Sequence, residues 1–327
     1  MLLVEPNSFR PPPLLGNRHI QTVLPALFRR IRRVPWRRER LGLVDGDFLD
    51  LDWLSQASPR LLIISHGLEG SSRGTYVVGL ARAAARAGWD VLAWNFRGCS
   101  GEMNRLPRFY HSGATEDLAA VVMHAVKSRQ FRSIAVAGFS LGGNLTLKFL
   151  GEGNPAAEHV QAGVAISVPC DLKSSAERMA QPACAFYMRR FRRDILAKWE
   201  RKRRRFPQLI PRPDPTRHRT FRDLDDVFTA PIHGFGTAER YWAECSANAY
   251  LAGIRRPVLV INAQDDPFLT PACHPIEAAR RSDLLHLELT TRGGHVGFLD
   301  RLRSRDDLWS ERRAVAFLES VVRAEEG

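Results

Sequence analysis

The strongest chemical signal in the chain is Gly138-Phe139-Ser140-Leu141-Gly142, which follows the apolar run SIAVA and precedes LGGNLTLKFL. This is a G-x-S-x-G between a predicted strand and a predicted helix. On such a sharp turn the serine is held in strained backbone with its hydroxyl projecting above the sheet, at a helix N-terminus whose dipole favours negative charge. The flanking strand and helix separate it from the same pattern arising by chance in a Gly-rich loop. A serine hydroxyl is a poor nucleophile at neutral pH, so an imidazole must take its proton and a carboxylate must fix that imidazole's tautomer.

In this arrangement the three groups follow in the order serine, acid, histidine. Of the ten histidines, His295 has the fitting context, a Gly-rich loop, RGGHVGF, after the last predicted strand. His286 lies within a strand pattern and His124 within a helix pattern; His19, His159, His218 and His274 lack a supporting context. For the acid, PVLVIN leads into Ala263-Gln264-Asp265-Asp266-Pro267-Phe268, just past a strand end. Asp266 is the candidate, with Asp265 read as capping the turn and Asp171, after an earlier strand, as a third possibility. Acyl transfer also needs backbone donors for the tetrahedral oxyanion. The amides of Leu141 and of Leu68, in the loop His66-Gly67-Leu68-Glu69-Gly70, are the candidates, with Glu69 a candidate to orient that loop.

These residues must be positioned by a scaffold, and the surrounding sequence alternates short apolar runs with longer helical patterns from Leu61 onward. That alternation predicts an α/β fold with a mostly parallel sheet covered by helices on both faces. The predicted strands are Leu61–Ser65, Asp90–Asn95, Ser133–Gly138, Gly163–Ser167, Pro257–Asn262 and Leu284–Leu289. The predicted helices are Tyr76–Ala87, Thr115–Ser128, Leu141–Leu150 and Leu308–Arg323. Residues 46–168 and 251–327 read as the core and 169–250 as an inserted cap beyond the carboxyl ends of the strands. Residues 1–45 read as an N-terminal arm packed on the domain.

The 327 residues, 44% hydrophobic and 25% charged, suit one large globular domain. Five cysteines, Cys99, Cys170, Cys184, Cys245 and Cys273, form no C-x-x-C, which argues against a disulfide framework or zinc module and for a reducing compartment. With no long apolar run and no basic-then-apolar start, the chain is expected to be cytoplasmic. Net charge is +13, but residues 29–40 carry +6 and residues 189–205 carry +8, so the rest nets −1. The charge is thus two patches on a near-neutral domain, and no nucleic-acid partner is expected. In the second patch Phe191, Ile195 and Trp199 recur every four residues, with Leu196 beside them. Such an apolar stripe would dock the helix on the core, leaving arginines for peripheral contact with an anionic membrane. Cys99 reads as a packing residue and Asp117 as a first-turn helix acid.

The chain resembles the α/β-hydrolase superfamily and, within it, the YheT-like hydrolases, bacterial relatives of the eukaryotic abhydrolase-domain esterases and phospholipases. The resemblance rests on Asn17-Arg18-His19-Ile20-Gln21-Thr22, HGLEGSSRGTYV from His66, WNFRGCSGE from Trp94, YHSGATEDL from Tyr110, GFSLGGN from Gly138, NAQDDPF from Asn262 and GGHVGF from Gly293. It implies Ser140, Asp266 and His295 as the charge-relay set. It also implies hydrolysis of carboxylic esters, with a small-molecule ester or medium-chain acyl lipid as substrate, and no cofactor. The eukaryotic relatives carry an N-terminal membrane anchor, which this sequence is expected to lack. An acyltransferase with the same triad, or a non-catalytic binder of anionic lipid or nucleic acid through the basic patches, are the alternative functions.

Overall fold

The computed structural model describes residues 9–301 and 307–326; the first eight residues of the predicted arm lie outside the described residues. One eight-stranded sheet organises the chain, in the order β1-β2-β4-β3-β5-β6-β7-β8. Its strands are β1 (Arg37–Gly42), β2 (Phe48–Leu54), β3 (Arg60–Ser65), β4 (Asp90–Asn95), β5 (Ser133–Phe139), β6 (Ala162–Ile166), β7 (Val258–Ala263) and β8 (Leu285–Thr290). From β4 to β8 all pairings are parallel, while β2 runs antiparallel to both β1 and β4. The six strands read from apolar runs occur within one residue of their predicted ends.

The first two strands were not anticipated, and β1 corrects the reading of residues 1–45 as an arm only. Its residues, RRERLG, carry almost no apolar side chains because it is the sheet edge and its partners are charges on β2. Arg38 lies opposite Asp52 and Arg40 opposite Asp50, and each guanidinium forks onto its carboxylate at 2.7–3.0 Å. Asp50 and Asp52 are buried, so the arginines opposite neutralise them there. Three arginines of the first basic patch thus have carboxylate partners within the fold, Arg38 and Arg40 on β2 and the buried Arg29 on the buried Glu311.

Parallel strands need helical crossovers, and these cover the two faces. Helices α3 (Thr115–Ser128) and α4 (Leu141–Gly151) bury Leu118, Val121, Leu145 and Phe149 against one face. Helix α2 (Thr75–Arg86) and the C-terminal helix Trp309–Glu326 bury Val77, Leu80, Phe317 and Leu318 against the other. Before β1, helix α1 (Arg18–Phe28) is capped by Asn17, whose side chain accepts the amides of His19 and Ile20. Among the described residues no helix is long and apolar enough to cross a membrane.

Between β6 and β7 the chain leaves the sheet and forms helices only, including α5 (Leu172–Met179) and α6 (Ala185–Arg205). The apolar stripe of α6 does turn inward. Trp199 is fully buried and lies flat on Phe228, with ring centroids 4.5 Å apart. Two cations of the basic run turn inward with it. Lys202 is buried and donates to the carbonyls of Asn104, at 3.0 Å, and Leu106, and Lys198 reaches the oxyanion-loop candidate described below.

Candidate active site

Ser140 stands between β5 and α4 with φ 51° and ψ −119°, a left-handed geometry that a non-glycine residue adopts at a cost of about 1–3 kcal/mol. Its neighbours make the turn possible. A Cβ on Gly138 would lie 2.1 Å from the Gly142 carbonyl oxygen, and one on Gly142 would lie 2.3 Å from the His66 carbonyl oxygen. Only glycine lets helix, strand and the β3 loop come this close.

The structure brings Ser140, His295 and Asp266 together from three strand ends. Ser140 Oγ lies 2.9 Å from His295 Nε2, and His295 Nδ1 lies 2.8 Å from Asp266 Oδ2. With Nδ1–H donating to the carboxylate, Nε2 is free to accept the serine proton. Asp266 is buried, and its other oxygen accepts the Phe268 amide at 2.8 Å. The competing carboxylates have other work. Asp265 accepts the Gly294 amide at 2.9 Å, which tethers the histidine loop, and Asp171 caps α5 by accepting the Ser174 amide at 2.7 Å.

The backbone-donor candidates flank the serine. Leu68 and Leu141 line the same chamber as Ser140 and His295, and no acceptor among the described residues takes the amide of either. The loop carrying Leu68 is braced on both sides. The Gly67 amide donates to Tyr76 Oη at 3.0 Å, and the Glu69 amide donates to Tyr110 Oη at 2.9 Å. His66 is buried, donating from Nδ1 to the Gly67 carbonyl and accepting the Phe96 amide at Nε2. Burial lowers its pKa to about 3, so it stays neutral.

Several positioning residues were not legible in the sequence. The His295 amide donates to Thr22 Oγ1 at 2.9 Å, and the Val296 amide donates to Ser167 Oγ at 2.8 Å. Gln21 Nε2 donates to the carbonyls of Leu15 and Leu299 while its oxygen accepts the Leu299 amide. Helix α1 therefore clasps the histidine loop, and a Cβ on Gly297 would lie 2.2 Å from the Gln21 carbonyl oxygen. In the segment Asn17–Thr22 the sequence signal for this role is weak, polar side chains set beside apolar ones.

Lys198 is a further residue of this kind. Its ammonium lies 2.8 Å from Glu69 Oε1, and Tyr110 Oη donates to that same oxygen at 2.6 Å. The pair is nearly enclosed, with side-chain exposures of 7% and 11%. Glu69 has φ 53°, so the residue after Leu68 is held in a left-handed conformation by a cation from the cap. Cys99 lies 3.2 Å from the same ammonium, and burial raises its thiol to about 11, which suits packing rather than nucleophilic chemistry. Asp117 lies in the first turn of α3, and both its oxygens accept Arg97, a buried pair behind the site.

Above the serine, the chamber is lined by apolar side chains from the inserted segment, among them Met179, Phe191, Ile195, Leu224, Phe228 and Trp242. An activated hydroxyl at the floor of an apolar chamber, with free amides beside it, is equipped to take an acyl group from an ester and hold its chain.

Comparison with known proteins agrees with this geometry. The family model described as alpha/beta hydrolase fold matches residues 60–302. The chain is 37% identical over 317 residues to YheT of Escherichia coli (strain K12), provisionally named an esterase, covering 94% of this chain and 92% of that protein. Phospholipase ABHD3 of Mus musculus is 29% identical over 300 residues, covering 88% of this chain and 72% of that protein. Among solved structures, the Pyrococcus furiosus esterase Pf2001 superposes with a TM-score of 0.56 at 18% identity over 90% of each chain, a likeness of fold alone.

Proposed function

The chain belongs to the alpha/beta hydrolase fold family and is a hydrolase of its esterase and lipase-like kind; from that premise we propose that it cleaves carboxylic esters of short- to medium-chain acyl groups through an acyl-enzyme on Ser140. The observation that carries this reading is the hydrogen-bonded line Ser140–His295–Asp266 at the floor of the apolar chamber.

In the proposed reaction Ser140 Oγ attacks the ester carbonyl as its proton passes to His295 Nε2. Asp266 stabilises the imidazolium without taking a proton itself. The carbonyl oxygen, now an oxyanion, is received by the amides of Leu68 and Leu141. Collapse breaks the bond to the alcohol oxygen, and His295 returns the proton to that leaving group. Water then attacks the acyl-enzyme, giving one proton to His295, and the carboxylic acid departs as Ser140 is restored. The alcohol and acid together account for the ester and one water, and no cofactor enters.

We place this activity in the cytoplasm, where the five cysteines, all free thiols, would stay reduced. The test is turnover of p-nitrophenyl esters of increasing acyl length. Activity should rise with chain length until the chamber is filled and then fall. Equal inactivity across the series would remove the esterase reading.

A further inference from the structure

We propose that the outward face made by α1 and the first turn of α6 is a docking surface for an anionic lipid–water interface, set around the mouth of the site. Four of the seven large apolar side chains exposed among the described residues lie on these two helices: Ile20, Leu27 and Phe28 on α1, and Phe186 on α6. Phe28 and Phe186 are the most exposed of the four, at 67% and 65%. Gln21 and Pro25 are buried and Leu24 packs inward against Leu15, Leu299 and Leu308, whereas Ile20 and Leu27, seven positions apart, share an exposed face of α1, with Phe28 exposed at the helix end. Water-facing helices ordinarily put charge there.

The two helices meet. Tyr187 Oη and His19 Nδ1 lie 3.0 Å apart, and the ring of Phe186 packs edge-on against Tyr187. Between them runs an open groove whose walls include Leu27 and Phe186 and whose floor reaches Ser140 and His295.

Charge decides what this surface fits. Arg73, Arg189 and Arg190 line the groove, are exposed, and have no acidic partner among the described residues. The acids of the groove wall are occupied, Asp194 by Arg193 and Glu69 by Lys198. Arg30, Arg32 and Arg33 follow Phe28 directly and are exposed as well. Apolar side chains that can enter the acyl boundary, ringed by uncompensated guanidiniums, match a layer that is anionic outside and apolar beneath. Arginine alone would equally suit nucleic acid, but the exposed Phe28, Leu27 and Phe186 favour lipid.

The charge thus sits at the start of α6, in the segment just after α1 and at Arg73. It does not run through the whole of residues 189–205, where Lys198 and Lys202 are internal and Arg203 and Arg204 are paired with Glu200. The purpose given to docking, delivery of an acyl lipid to Ser140, rests on the esterase reading; the binding itself does not.

The test is sedimentation of the full chain, as Ser140→Ala, with vesicles of phosphatidylcholine alone or mixed with phosphatidylglycerol, across a salt series. Binding should need phosphatidylglycerol and weaken with salt. Phe28→Ser should weaken it about tenfold, as expected from partial loss of one inserted aromatic ring. The pair Arg189→Glu and Arg190→Glu should weaken it further and flatten the salt dependence. In the active chain, Phe28→Ser should leave turnover of a short soluble ester unchanged, which also shows that the variant is folded. Absence of binding to the mixed vesicles at low salt would overturn the proposal. So would binding indifferent to these substitutions, or tighter binding of a single-stranded oligonucleotide that Phe28→Ser leaves intact. Vesicle binding without ester turnover would sink the esterase reading alone, and turnover without vesicle binding would sink docking alone.

Discussion

The amide of His295 donates to the hydroxyl of Thr22 at 2.9 Å, across 273 positions of sequence. The same hydroxyl donates to the Arg18 carbonyl, so the turn of α1 fixes the backbone of the residue that must accept the serine proton. Catalytic geometry tolerates little displacement, a misplacement of about 1 Å costing up to about 10²-fold. Thr22→Val keeps the shape and removes the acceptor. It should lower kcat about 10-fold or more at nearly constant KM, cost about 1 kcal/mol in stability, and be rescued by Thr22→Ser. Steady-state kinetics of the three proteins checks this.

The three neighbouring carboxylates should separate sharply. Asp266→Asn loses the acceptor that fixes the imidazole tautomer and should reduce kcat by about 10³–10⁴. Asp265→Asn still offers an oxygen to the Gly294 amide and should cost much less. Asp171→Asn keeps an N-cap of equal quality and should change stability by only about a few tenths of a kcal/mol. A larger loss at Asp171 or Asp265 than at Asp266, measured as kcat on one ester, would assign the acid elsewhere.

Lys198 couples the inserted segment to the loop of Leu68. Lys198→Met leaves Glu69 enclosed without its cation, and breaking a buried pair from one side costs about 3–5 kcal/mol. Because the loop carries a proposed oxyanion donor, kcat should fall by up to about 10² with it. Adding Glu69→Gln to Lys198→Met removes the orphaned charge and should recover most of the stability while kcat stays low. Thermal melts and kinetics of the single and double variants separate the two effects.

Asp225, on the chamber wall, accepts Trp242 Nε1 at 2.9 Å, and burial pushes its carboxyl up to about 6. An acid whose pKa is higher folded than unfolded holds its proton more tightly in the fold. Its contribution is complete below about pH 4 and is lost as pH rises through about 6. Asp225→Asn should therefore raise Tm near pH 8 and flatten the decline of Tm between about pH 4 and 6. An unchanged pH dependence of Tm would show that Asp225 does not contribute it.

The residues that meet at the carboxyl end of the sheet were legible because each lies in a short local pattern. Ser140 is marked by strand, turn and helix, His295 by glycines after a strand, and Asp266 by a strand running into Asp-Pro. The helix phase of α6 was legible too, from Phe191, Ile195 and Trp199. What escaped depends on partners far away in sequence. Strand β1 reads as a charge run until Asp50 and Asp52 lie opposite it. Lys198 and Lys202 look like two more cations in a basic block until the packing of Trp199 turns them inward. Thr22 has no signature of its own, since its role exists only once the loop of His295 rests on α1.

The nucleophile is tested most directly by Ser140→Ala, purified, shown folded by an unchanged melting transition, and exposed to a fluorophosphonate probe beside the wild type. Covalent labelling of the wild type at Ser140 is expected, with loss of both labelling and ester turnover in the variant. Labelling of the folded variant at undiminished rate would contradict the assignment of the nucleophile.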